Sequence, residues 1–296
     1  MNRLLDENST FLELVDAWFR YLVRHDYSKS TRATYAAKIE HLLPEIGHKK
    51  LHELTREELQ HVFVLIEKAN ISPNTINNIY TITKKVVNFA IQLGIMKDNV
   101  TANVVLPKRK PYVPKVYRKF EVRRLLTVSE NSELEIPINL AVSLGLRRGE
   151  ILSLRWKDID FQHNTIHVNK SATAPDRESL PKSESSIRVL KLPKKLQKTL
   201  QNHFLKQKTS FFQSGITHDR NAFIFCKDNA TKYKATALSK MFKKFLIEHK
   251  LPLIRFHDLR HTYATIAHNN GMPVKHLSRS LGHSTPAITV EKYVHL

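Results

Sequence analysis

The sequence predicts a mainly α-helical chain in two domains, with a small antiparallel β-sheet in the second. Three observations predict it. Apolar residues recur at helical spacing along most of the chain. Short period-two alternation is found at Ile166 and Val168 and again at Ile187 and Val189. The stretch Leu106 to Arg118, LPKRKPYVPKVYR, holds three prolines, which makes it extended and semi-rigid. The expected plan is a helical domain over 8–105, a basic linker over 106–118 and a second domain over 119–296.

In the first domain, Thr10 and Glu13 have capping-box spacing. They open a helix on which Phe11, Leu14, Val15, Trp18, Phe19, Leu22 and Val23 recur at helical spacing. Ser30 is the expected cap of a second helix carrying Tyr35, Ile39, Leu42 and Leu43, with Gly47 beyond its end. Thr55 and Glu58 repeat the box ahead of Leu59, Val62, Phe63 and Ile66. Ser72-Pro73-Asn74 opens a long helix through Ile76, Ile79, Ile82, Val86, Val87 and Ala90, closing near Gly94. Four helices are expected here and no strand. In the second domain, helices over about 119–128 and 136–144 lead to GLRRGEILSLRWKDID. Short antiparallel strands follow, and from Lys194 the pattern is mainly helical apart from Phe223–Phe225.

The formal net charge is +21 and the pI about 10.0, the electrostatic footprint of a nucleic-acid binder. A basic membrane-surface protein is the rival, but no lipidation signal or amphipathic anchor stands out. Cys226 is the sole cysteine, which excludes an intramolecular disulfide and a multi-cysteine zinc site. The N-terminus lacks the apolar core of a signal peptide, and no run of ~18 apolar residues occurs. The expected location is cytoplasmic. The absence of a phosphate-cradling GxxxxGKS/T motif argues against nucleotide hydrolysis. On the helices Arg32, Lys38, Lys84 and Lys85, and in the linker Lys108, Arg109, Lys110 and Lys115, are candidate phosphate contacts. An ordinary solvated face is the alternative for each.

The chemistry-bearing stretch is HDLRHTYATIAHNNGMPVKHLSRSLGHSTPAITVEKY, from His257 to Tyr293. His257 and Arg260 are three apart, so on a helix they share a face and can point at a single anion. His283 follows a Leu-Gly turn, and Tyr293 carries a phenol that can act as a nucleophile where cations stabilise the developing charge. The pattern suits attack on a phosphodiester. His257 and His261 are i, i+4, a spacing that can hold zinc, but the intervening Asp-Leu-Arg is not HExxH and the arginine would repel a cation. No metal and no cofactor are expected, and His261 is read as structural. Tyr263 competes with Tyr293 by composition, but its setting beside Ala264 and Ile266 suggests core.

GLRRGEILSLRW, PKSESSIRVLKL, HDLRHTYAT, LGHS and YVHL resemble, in order and spacing, the tyrosine recombinases, also called the phage integrase family. The resemblance covers nearly the whole chain, more loosely in the helical half, which is similar to the family's core-binding domain. It implies a two-domain, C-shaped DNA clamp that cleaves without metal through a 3′-phosphotyrosyl intermediate and exchanges strands through a Holliday junction. It also implies roles for six residues. Arg147 and Arg260 match the catalytic arginines, whose planar guanidinium can bind two phosphate oxygens. Arg148 is the rival to Arg147, and Glu150 is read as a buttress. His257 resembles the first histidine, able to accept the phenolic proton or bond the phosphate. His283 would donate to a phosphate oxygen, and Tyr293 would be the nucleophile. Lys182 resembles the lysine that protonates the leaving oxygen, with Lys170 as runner-up.

A type IB topoisomerase-like enzyme and a DNA-binding protein without strand exchange are the alternatives. The chain begins almost directly with the helical domain, so a separate arm-binding domain is not expected, as in Xer-like or small mobile-element integrases. The implied partner is double-stranded DNA with paired half-sites, bound by a homotetramer, with accessory DNA-bending proteins possible. Only Val294, His295 and Leu296 follow Tyr293, so a docking tail is not expected and the free protein is expected to be a monomer.

Overall fold

The computed structural model describes residues 5–25, 27–169, 171–174, 177–179 and 187–293, and of 171–174, 177–179, 292 and 293 the backbone only. The chain forms two compact units, Met1–Tyr112 and Val113–Leu296.

Unit 1 is helical: α1 (Phe11–Arg24), α2 (Lys29–Ile39), α3 (Leu43–Ile46), α4 (Arg56–Lys68) and α5 (Pro73–Gln92). Both capping boxes form. The Thr10 N–H donates to Glu13 at 2.7 Å while Thr10 Oγ1 accepts from the Glu13 N–H, and Thr55 and Glu58 do the same. Such a cap contributes about 1 kcal/mol. The expected second helix differs in two ways. Its cap is Ser28, whose Oγ accepts from the Thr31 N–H, rather than Ser30. It also ends at Ile39, and α3 starts anew, so among the described residues five helices stand where four were expected. Pro44 is the physical reason. It has no N–H and its ring would clash with the carbonyl four residues back, so it fits the first turn of a new helix and not the interior of a long one. The core joins Phe11, Leu14 and Trp18 of α1 to Ile76, Ile79 and Val86 of α5.

The basic segment 106–118 has no regular secondary structure. Its first part is strapped to unit 1 by side-chain amides. Gln60 pairs with the Val105 backbone, Asn77 donates to the Pro107 carbonyl and Asn74 to that of Lys110. Its last part belongs to unit 2. Tyr117 is buried, its N–H donating to Thr262 Oγ1 and its hydroxyl to the Pro252 carbonyl.

Unit 2 begins with α6 (Lys119–Ser129), α7 (Glu135–Leu144) and α8 (Arg148–Ser153). A 3-10 turn, Trp156–Asp158, leads into β1 (Ile159–Asp160), β2 (Thr165–Val168), β3 (Ser171–Ala174), β4 (Arg177–Ser179) and β5 (Arg188–Lys191). Helices α9 (Lys194–Gln213), α10 (Ala235–Glu248), α11 (Asp258–Asn269), α12 (Val274–Leu281) and α13 (Pro286–Tyr293) follow. β1, β2 and β5 form one antiparallel sheet in that order, and β3 and β4 pair as a separate ribbon. Helix α7 is apolar nearly all round, as a helix buried inside a domain must be. It packs with Trp156, Ile166, Phe242 and Leu259 in the unit's core.

The second strand of the alternation, around Ile187 and Val189, faces the other way from an apolar-in pattern. Ile187 and Val189 are each 57% exposed, while the Arg188 side chain is 7% exposed. Arg188 pairs with Val168 and Leu190 with Ile166, so the guanidinium shares the inner face with two buried aliphatic side chains. A buried carboxylate and a helix end take it in, as the site geometry makes clear.

Candidate active site

Helix α7 stops at Gly145, which adopts φ 64°, ψ 28°. A Cβ here would run into the Tyr263 ring and the Leu281 side chain, so both the conformation and the space require glycine. The turn buries Leu146 and places Arg147 immediately before α8. Arg148, the rival, points elsewhere and donates to Ser239 Oγ of α10 at 2.6 Å.

The last carbonyls of an α-helix lack intrahelical donors and carry the negative end of its dipole. At the end of α12 three consecutive carbonyls each accept from a different arginine. Arg188 Nε donates to Ser280 O at 2.6 Å, Arg260 Nη2 to Leu281 O at 2.6 Å, and Arg147 Nη2 to Gly282 O at 2.7 Å. The three arginines arrive from β5, α11 and the residue before α8. Gly282 closes α12 with φ 65°, ψ 47° and turns the chain into His283.

Glu150 is the counter-ion. Its Oε1 accepts from Arg147 Nη1 at 2.8 Å and Arg188 Nη1 at 3.0 Å. Its Oε2 accepts from the Arg147 N–H at 2.7 Å and Arg188 Nη2 at 3.0 Å. Burial alone would raise this carboxyl; the Arg188 hydrogen bonds and the charges of Arg188, Arg147 and Arg260 outweigh it and hold it below the usual carboxylate range. Among the described residues, three guanidiniums stand against one carboxylate, a positive balance that suits an anion.

The cluster is not uniformly open. Arg260 is 2% exposed and also donates to the Gly145 carbonyl at 2.7 Å, so its charge sits beneath the surface. The Arg147 side chain is 32% exposed. A guanidinium has five N–H donors, and among the described residues Arg147 engages two of them. Its outer edge is therefore available to a phosphate oxygen.

His257 stands at the start of α11, exposed, with its ring edge-to-face on His261 at 5.3 Å between centroids. The packing about the imidazole, then His261 and Arg260, push its pKa down to about 4. Solvent at this exposed residue screens part of the charge effect. The imidazole is thus neutral at physiological pH and can accept a proton. An NMR titration of the free protein should place its midpoint well below the ordinary imidazole value of about 6.5. A midpoint at or above that value would show that its setting does not disfavour the charged ring. His283 Nδ1 bonds Thr289 Oγ1 at 2.8 Å, tying the imidazole to α13.

The structure thus brings Arg147 and Arg260 onto one helix end and sets His283 directly after it. Tyr293 ends α13, and its side chain lies outside the described residues. Lys182 and Lys170 lie outside them altogether. Tyr263 is half-buried against Ala264, Ala267, Leu277 and Leu281. No group of three or more His, Cys, Asp or Glu side chains that could hold a metal occurs among the described residues. Sequence reasoning missed Arg188; its only signal was its place in SIRVLKL, where an arginine alternates with apolar neighbours.

In unit 1, α2 and α5 pack together and carry the other candidates. Lys84 and Lys85 are exposed, Arg32 and Lys38 half-buried. Lys85 Nζ donates to the Tyr35 hydroxyl at 2.8 Å. Lys108, Arg109, Lys110 and Lys115 are all exposed. No helix among the described residues is long and apolar enough to cross a membrane.

Comparison with known proteins agrees. The profile of the phage integrase family matches residues 115–296, and that of the phage integrase N-terminal SAM-like domain matches 10–64. A tyrosine recombinase XerC-like protein of Caldanaerobacter subterraneus is 26% identical over 98% of this chain and 80% of its own. The ICEBs1 integrase of Bacillus subtilis is 31% identical over 83% of this chain and 68% of its own. Among solved structures, the Tn1549 transposon integrase in complex with transposon right end DNA superposes with a TM-score of 0.80 at 21% identity, covering 97% of this chain and 96% of the other. The chain belongs to the phage integrase family, the tyrosine recombinases.

Proposed function

We propose that this chain is a site-specific DNA recombinase that breaks and rejoins DNA with Tyr293 as the nucleophile. The observation that carries the reading is the arginine cluster on the α12 end, with the outer edge of Arg147 open and the nucleophile's helix tied to His283. Attack of the phenolate on phosphorus builds negative charge on the nonbridging oxygens. Cations fixed beforehand stabilise that charge without reorganising. Arg147 bonds those oxygens directly and Arg260 adds its charge from below. Neutral His257 takes the phenolic proton, and His283 donates to a phosphate oxygen. The DNA 3′ phosphate becomes bonded to the Tyr293 oxygen, and the 5′ oxygen leaves with a proton from Lys182. No metal or cofactor enters. A DNA fragment carrying the paired half-sites, incubated with the protein and denatured, should yield a covalent adduct. None on any such fragment would overturn the reading.

Lys182→Ala should be rescued when the bridging 5′ oxygen is replaced by sulfur, because a thiolate leaves without protonation. Rescue of Lys170→Ala instead, with Lys182→Ala unaffected on ordinary DNA, would move the acid to Lys170.

The DNA partner is bound along unit 1 and the linker through Arg32, Lys38, Lys84, Lys85, Lys108, Arg109, Lys110 and Lys115. A protein making about 6–10 phosphate contacts loses ~10³–10⁵ in affinity between about 50 and 200 mM salt, and that slope is expected here. A flat salt response would contradict it. Self-repulsion at a net charge of +21 keeps free copies apart in the cytoplasm, and paired half-sites gather four on DNA.

A further inference from the structure

We propose that Arg188 is a positioning residue for the cleavage reaction, acting through Glu150 and Ser280 to aim Arg147. The proposal rests on the recombinase reading of the same site. Arg188 is too buried to meet DNA, with its side chain 7% exposed. Three of its hydrogen bonds reach two groups at the seat of Arg147, one that holds it directly and one beside its backbone acceptor. One is the Glu150 carboxylate, gripped through both oxygens at 3.0 Å, which accepts from the Arg147 side chain and backbone. The other is the Ser280 carbonyl, two residues before the Gly282 carbonyl that takes Arg147 Nη2. A planar fork can make this bidentate grip while its Nε reaches the helix end; a lysine ammonium has one point of charge and cannot do both. Arg188 also opens β5, directly after the segment that carries Lys182. It therefore clamps that strand to the same helix end as the two candidate catalytic arginines.

The test uses the full chain and two DNA substrates, one natural and one with a methylphosphonate at the scissile position. The methyl group removes the charge of a nonbridging oxygen and with it much of the demand for Arg147. The readout is the ratio of single-turnover cleavage rates on the two substrates. Arg188→Lys should lower the natural-to-methylphosphonate ratio about 10- to 100-fold, the scale of a small misplacement of a reacting group. In an Arg147→Ala background it should lower the ratio no further, because the two act as one unit. A partly unfolded variant is slowed alike on both substrates and keeps the wild-type ratio, so a loss of folding does not imitate the effect. Arg188→Gln, which keeps hydrogen-bonding capacity without charge, repeats the measurement should Arg188→Lys fold too poorly to assay. An unchanged ratio in either variant, or full additivity with Arg147→Ala, overturns the positioning role. A wild-type protein that cleaves neither substrate overturns the recombinase reading itself, and this proposal with it.

Discussion

Tyr293→Phe should bind its DNA as tightly as the parent chain and form no covalent protein–DNA adduct. The substitution removes one oxygen at the end of α13 and leaves the arginine cluster, Glu150 and the basic surfaces untouched. The largest effect available to a single substitution is expected here, because the bond to phosphorus has no other oxygen to form from. Tyr263 cannot stand in while half-buried against Leu277 and Leu281. Denaturing gels read the adduct and filter binding reads affinity. An undiminished adduct would remove Tyr293 as the nucleophile.

Arg147→Ala should slow cleavage by about 10²–10³, the scale for losing one preorganised donor at a developing oxyanion. Affinity for DNA should change little, since one contact among many is lost. Arg260→Ala should slow cleavage by a similar factor, with a second consequence. Arg260 is buried and donates to the Gly145 and Leu281 carbonyls, so its loss strands two acceptors. Each unsatisfied buried group costs about 1–3 kcal/mol, so this variant should also melt earlier, and by more than Arg147→Ala, whose 32% exposed side chain leaves a space that water can reach. Single-turnover rates beside thermal melts separate the two effects. Wild-type rates in either variant would remove that arginine from the chemistry.

Much of this arrangement was legible in the sequence, and the illegible parts share a physical cause. The capping boxes at Thr10 and Thr55 could be read because a cap is a local bond between residues three apart. Glu150 could be read as a buttress because it sits three residues from Arg147 at a helix start. The break at Pro44 was missed because helical spacing of Tyr35, Ile39 and Leu42 outweighed the rule against an interior proline. The β3–β4 ribbon is built from SATA and RES, which hold no large apolar residue to mark a strand. Arg188 escaped notice because Ile187 and Val189 supply an apolar alternation, and the register opposite to it is favoured by Glu150 and the Ser280 carbonyl, both far away in sequence. The α12 end was out of reach altogether. Its acceptors are the backbone carbonyls of Ser280, Leu281 and Gly282, which no side-chain motif encodes. LGHS can be recognised, but that its Leu and Gly hold two arginines by their carbonyls is visible only in three dimensions.

The proposed chemistry is a metal-independent attack by the Tyr293 oxygen on a DNA phosphate. The most direct measurement is to trap the covalent complex on a nicked substrate in the presence of excess chelator, digest the protein and sequence the DNA-linked peptide by mass spectrometry. A single linked peptide is expected, with the DNA 3′ phosphate on Tyr293, in unreduced yield. A linkage at any other residue, or an adduct that disappears with the chelator and returns with added magnesium or zinc, would contradict it.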